Sequence, residues 1–276
     1  MGWLTAFHLP FFQNALVAVL FAGIAFPLIG VFIISLNLVP LRFAMMHIAL
    51  LGGAVGLFLK LDPMLFGLLF CAVAALALGP LSDKTKMGLG TLSGFFMTLT
   101  LALAFILFYR GNIHVIQAFS ILWGNILSLT RRDLALIAAL STFIVVLVVL
   151  FFKEIQAVLY DREVALGVGI PEKGLYYLIV FVLGLSIAVC MRMIGALLID
   201  AFVLLPAMAA TFISRSLKQI FVLSAVFGLV SGLSGLWFSF VLDIPTSSAI
   251  ILVGSVIILV CGVMKRRYGT HERKRF

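Results

Sequence analysis

Charge is scarce in this chain. Only 11% of the 276 residues are charged, while 64% are hydrophobic. An ordinary soluble domain carries about 25% charged residues. A soluble core of this size cannot hide so much apolar surface, so a water-soluble globular class is excluded. Cysteine is scarce as well. Cys71, Cys190 and Cys261 each lie in or beside an apolar run at wide spacing. That leaves neither a disulfide framework nor a metal-site spacing. No Gly-Lys pair occurs anywhere, so the phosphate-cradling G-x-x-x-x-G-K-[ST] loop is absent. If ATP drives this protein, another subunit binds it. The short alternating segments of a membrane barrel are missing. Met1–Gln13 lacks a basic n-region and a small-residue cleavage site, so no cleaved signal peptide is expected.

What the chain does have is long apolar runs. They are Asn14–Leu36, Phe43–Leu59, Met64–Pro80, Gly88–Phe108, Leu134–Phe152, Leu175–Cys190, Ile194–Ile213, Ile220–Phe240 and Ser247–Met264. About 18 apolar residues suffice to cross a hydrocarbon core of about 30 Å. Backbone groups in lipid must be satisfied within their own segment, so these runs are helices. The expected fold is an all-α, polytopic transmembrane bundle of about nine spans, forming one domain over residues 1–276. Val115–Leu129 is shorter and reads as a re-entrant or interfacial helix.

The net charge of +9 does not indicate nucleic acid, because the basic residues sit at loop ends and in the tail. They read as topology signals. With the C-terminus in the cytoplasm, fourteen of the nineteen basic residues face inward. Six of those fourteen belong to the tail, 265–276. The same orientation places Lys153–Gly174 in the cytoplasm. Within it, Asp161–Val168 predicts a short helix with acidic residues in its first turn and Gly169 as its stop. A helix so short is unstable alone in water and needs a docking surface, either a cytoplasmic partner or the bundle itself.

Helix contacts have their own signal. Gly52 and Gly56 share a face, and Gly228, Gly232 and Gly235 line the eighth run. Small residues at such spacing let helices approach closely in lipid. Pro27 and Pro206 lie inside apolar runs, where each removes a backbone hydrogen bond.

Two ionisable residues lie within apolar runs, His47 and Asp200. A carboxylate near mid-bilayer costs at least ~2.5–3.5 kcal/mol, so it faces a cavity or a partner. Asp200 is a transport-path candidate; a structural bond, or rough pairing with Arg192, is the plainer alternative. An imidazole suits a borderline metal such as zinc. A lone histidine on an apolar helix is more often a packing residue. Met45, Met46, Met191 and Met193 are soft donors in principle and flexible packing in the plainer reading. His114 is a possible contact on the outer side. His8 and His271 are assigned nothing.

Five segments in order resemble the membrane permease subunits of the metal-ion ABC importers, those for zinc, manganese and iron. NALVAVLFAGIAFPLIGVFIISL is similar to the family's opening helix, and LWGNILSLTRRDL (Leu122–Leu134) to its central segment. DREVALGVGI (Asp161–Ile170) resembles the coupling loop that docks on the ATPase. MIGALLIDAFVLLPAMAA (Met193–Ala210) resembles the core helix, and LDIPTSSAIIL (Leu242–Leu252) the last loop and helix. The resemblance implies a non-enzymatic, multi-pass subunit of the cytoplasmic (inner) membrane. It implies a homodimer with cytoplasmic ATP-binding subunits and an extracytoplasmic metal-binding protein. The cargo would be a divalent metal ion, zinc or manganese, and no cofactor would be bound by this chain. It assigns ATPase coupling to Asp161, Arg162, Glu163, Ala165, Leu166, Gly167 and Gly169. It also raises His47 as a metal contact. The family's second helix usually shows Asp-x-x-Ser-His, whereas here Phe43 takes the aspartate position and Met46 the serine position. Asp200 stands where the family more often has a small or neutral residue, and could replace the missing carboxylate. The alternatives are an ion-coupled secondary transporter, a membrane enzyme, or an ABC permease for a siderophore or cobalamin. The spans offer few polar residues for an enzyme, and no convincing internal repeat favours the secondary transporter.

Overall fold

A computed structural model describes residues 10–113, 126, 129–193 and 195–272. The described residues form eleven α-helices and no strand. They are α1 (Pro10–Ser35), α2 (Val39–Phe58), α3 (Pro63–Thr85), α4 (Leu89–Arg110), α5 (Arg131–Leu150), α6 (Phe152–Tyr160), α7 (Arg162–Gly167), α8 (Glu172–Met193), α9 (Ala196–Ile213), α10 (Leu217–Leu242) and α11 (Thr246–Glu272). Eight are long and apolar enough to cross a membrane. The ninth apolar helix, α9, spans 18 residues, and Gly195, with φ +90°, separates it from α8. The expected Val115–Leu129 helix lies outside the described residues, apart from Ile126 and Leu129.

The chain divides into two compact units. The first is built from Met1–Ile34, Ile126–Val148 and Leu197–Phe276. Among its candidate spans the most buried is α1, with 72% of its apolar window inside, against 22% for α11. Backbone contact explains why. A Cβ on Gly23 would sit 3.1 Å from the Gly228 carbonyl oxygen, and one on Gly30 would overlap the Val203 carbonyl. Glycine at these positions lets α1 lie directly on α10 and α9. Edge-on aromatic pairs, Phe32 with Phe221 at 5.5 Å and Phe12 with Phe240 at 5.8 Å, extend the contact. The α10–α11 turn is fixed by Ser239, whose Oγ donates to the Ile244 carbonyl at 2.7 Å and lies 2.9 Å from Thr246 Oγ1. Asp243 takes the left-handed conformation there, with φ +52°.

The second unit is Ser35–Asn125 and Val149–Ala196. Its central helix is α2, which packs on α3, α4 and α8. Gly52 backs onto Phe66 and Gly67 of α3, where a Cβ would lie 2.5 Å from the Phe66 carbonyl oxygen. The Gly52 and Gly56 signal in the sequence therefore marks a true close approach. Cys71 donates to the Met45 carbonyl at 3.4 Å, tying α3 to α2 again. The outer helices are mostly exposed. On α3, Leu65, Leu69, Val73 and Leu76 form one apolar stripe, spaced as one helix face should be.

Candidate transport site and coupling segment

The sequence alone starts the second span at Phe43, which strands His47 near one end. The structure begins α2 four residues earlier, at Val39, with Pro40 in the first turn. Proline belongs there, since its missing N–H has no intrahelical partner to lose. Arg42 interrupts the apolar run without interrupting the helix. It is only 1% exposed, and its guanidinium lies 4.2 Å from the centre of the Phe43 ring. His47 consequently sits about 12 Å along α2 from Val39 and about 16 Å from Phe58, at 1.5 Å per residue. It is near mid-helix.

Geometry also fixes the imidazole. His47 Nδ1 lies 2.7 Å from the Phe43 carbonyl oxygen. A carbonyl only accepts, so Nδ1 carries the proton and donates. In the neutral tautomer that makes this bond, the lone pair is on Nε2. Metal-binding histidines use the same device, one nitrogen tied to a carbonyl and the other directed at the ion. Along α2, Ala44, Met45 and Ile48 are buried, whereas Phe43, Met46 and His47 retain exposure. An imidazole and a thioether therefore share the accessible stripe. Among the described residues no group of three or more His, Cys, Asp or Glu could hold a metal ion.

Asp200 is the fifth residue of α9, in the first unit, while His47 belongs to the second. The side chains of Asp200 and Arg192 lie outside the described residues, as do His8, His114 and the side chain of His271. The three cysteines are free and buried, so none forms a disulfide.

The Asp161–Ile170 segment folds as a locked single-turn unit. Asp161 is the N-cap of α7; its carboxylate accepts from the Glu163 N–H at 2.8 Å and the Val164 N–H at 3.2 Å. At the other end Gly169 adopts φ +82°. The Ile170 N–H donates to the Ala165 carbonyl and the Gly169 N–H to the Leu166 carbonyl, both at 3.0 Å. This is the Schellman arrangement, in which glycine supplies the left-handed residue. Ala165 is fully buried and anchors α7, which contacts α6 and α8. Three of the segment's apolar side chains are exposed: Val164 at 57%, Leu166 at 61% and Val168 at 68%. Glu163, Gly167 and Gly169 are exposed beside them, and the side chain of Arg162 is not among the described residues. The expected short helix is present one residue shorter at each end.

Two features escaped the sequence reading. Helix α6 was hidden in a segment with mixed polarity, although Ile155 and Val158, both buried, are spaced i, i+3. A hydrogen bond from the Tyr177 hydroxyl to the Asp83 carboxylate joins α8 to α3. No sequence signal singles out that pair across ninety-four residues.

Comparison with known proteins places this architecture. The chain is 25% identical to the manganese transport system membrane protein MntC of Halalkalibacterium halodurans, over 95% of this chain and 90% of that one. It is 26% identical to the manganese import system permease protein ScaB of Streptococcus gordonii, covering 95% and 94%. Among solved structures, PsaBC from Streptococcus pneumoniae in complex with Fab matches with a TM-score of 0.79 at 27% identity, over 94% of this chain and 93% of that chain. A family model, the ABC 3 transport family, matches residues 8–265. That match takes in all eight candidate spans and the locked α7 turn between them, and the chain belongs to the ABC 3 transport family.

Proposed function

We propose that this chain is the membrane-spanning half of an importer for a divalent metal ion, zinc or manganese, powered by separate cytoplasmic ATP-binding subunits. The observation that carries the reading is α7. It lies outside the spans, is locked at both ends, and exposes Val164, Leu166 and Val168 to solvent. Water-exposed apolar side chains on so rigid a turn suit docking in a groove of a soluble partner. The manganese-named relatives and the basic residues flanking the spans support the same reading. Two copies of this chain would enclose the path, and an external metal-binding protein would deliver the ion.

On this reading His47 Nε2 is a metal contact within the path, and Asp200 supplies a carboxylate from α9. Both contacts must be weak, since an ion held firmly cannot leave. ATP-driven movement would reach the spans through Asp161, Arg162, Glu163, Ala165, Leu166, Gly167 and Gly169. Co-purification with candidate ATP-binding subunits, followed by metal-stimulated ATP hydrolysis in proteoliposomes, tests the reading. Metal uptake by this chain without any ATP-binding subunit would overturn it. Asp200→Asn tests the carboxylate separately; unchanged uptake removes Asp200 from the path.

A further inference from the structure

Helix α8 follows directly on the locked turn: Gly169 ends it, Pro171 follows, and α8 begins at Glu172. One and a half turns on, Tyr177 meets α3 in two ways. Its hydroxyl donates to the Asp83 carboxylate. Its ring fills the space over Gly79, where a Cβ would lie 2.7 Å from Cδ1 and 2.9 Å from Cε1. Seven residues further, on the same face of α8, Gly184 packs against Ala75 and against the Met45 thioether, with a Cβ position 2.9 Å from the Ala75 Cβ and 3.3 Å from the Met45 sulfur. Met45 is two residues before His47, and its carbonyl accepts from Cys71. Every contact in this series lies within the second unit.

We infer that Tyr177 and Asp83 are positioning residues that clamp α8 to α3, so that displacement of the α7 turn moves the His47 segment of α2 as one body. The inference rests on the proposed function for its transport consequence, and on packing alone for its mechanical one. The physical ground is the shape of the contacts. Gly79 makes room for the Tyr177 ring and Gly184 for the Ala75 and Met45 side chains, so α8 has little freedom to slide sideways. Apolar packing alone resists a slide along the axis weakly. A charge-assisted hydrogen bond at the end of α8 nearest the turn supplies the missing axial restraint. Asp83 is the acceptor and Tyr177 the donor, so each can be removed separately.

Tyr177→Phe deletes the donor and keeps the ring. In proteoliposomes with the ATP-binding subunits, it should raise ATP hydrolysed per ion moved by about tenfold, the scale of one hydrogen bond to a charged group. The basal hydrolysis rate and the elution profile should stay as in the wild type. Asp83→Ala should match it, and the double variant should be no worse than either alone. Asp83→Asn keeps an acceptor oxygen and should recover most of the coupling. Hydrogen exchange on the full chain in lipid nanodiscs gives a readout that needs no partner. There Tyr177→Phe should speed exchange at Met45–Ile48 and leave α1 unchanged. Unaltered exchange at Met45–Ile48, or losses that multiply in the double variant, would overturn the clamp. A wild-type protein whose ATP-binding partners ignore metal would instead overturn the functional reading, with the exchange result still deciding the clamp.

Discussion

Glycine serves two regions of this molecule for different physical reasons. In the spans, Gly30 and Gly52 are surrounded: a Cβ on Gly30 overlaps the Val203 carbonyl, and one on Gly52 meets α3 backbone at 2.5 Å. In the segment after α6, nothing lies within 4 Å of a Cβ on Gly167, Gly169 or Gly174. There the constraint at Gly169 is the backbone angle itself, φ +82°. Inside the bundle glycine is needed for what lies outside it; on α7 it is needed for how the chain turns. The first use holds helices together. The second holds a small apolar face out in water, which is sensible only if something else covers that face.

Substitution breaks the two uses differently. Gly30→Ala should have the largest effect. The added methyl must displace α9 backbone, so it should cost about 3 kcal/mol or more, the upper range for overpacking. Loss of the monodisperse peak in detergent chromatography measures it. Leu166→Asp should leave that peak intact, because the side chain is 61% exposed. It should reduce co-purification of ATP-binding subunits by at least about tenfold, as a charge placed in an apolar contact does. His47→Ala should also fold normally and lower metal uptake by about tenfold, with uptake of labelled ion as the measurement. A smaller effect is expected from Gly169→Ala, which puts a side chain in the left-handed region at about 1–2 kcal/mol. It should weaken partner capture and leave the bundle alone. Asp161→Ala should be the mildest. It removes an N-cap worth about 1 kcal/mol, and the deficit should show as a few-fold weaker capture. If Gly169→Ala unfolded the protein, or Gly30→Ala did not, the contrast between the two regions would fail.

The candidate site was partly legible before the structure. His47 stands out in an apolar run because an imidazole in lipid needs a reason. Its depth is not legible in the sequence, since the charged Arg42 reads as the end of the apolar run. A charge ends an apolar run in the sequence, but burial against α2's neighbours and the Phe43 ring lets the helix continue through it. Asp161 and Gly169 were legible as the start and stop of a short helix because caps are local chemistry. The role of Ala165 as its buried anchor was not, since an alanine has no pattern of its own. Tyr177 and Asp83 were illegible for the same reason: an ordinary tyrosine and an ordinary loop-end aspartate meet only when α8 and α3 are packed.

The sequence by itself determined that this chain crosses a membrane many times as helices. That conclusion needs only hydropathy and the cost of an unpaired peptide group in lipid, both summed along the chain. It also determined the short helix at Asp161–Val168 with its stop at Gly169, because capping involves residues two to five apart. Tertiary structure decided the rest. It set which glycines touch backbone, where α2 begins around a buried arginine, which face of His47 is available, and which residues clamp α8. Each of these depends on what a second helix places opposite the first, and that is a property no single run of residues carries.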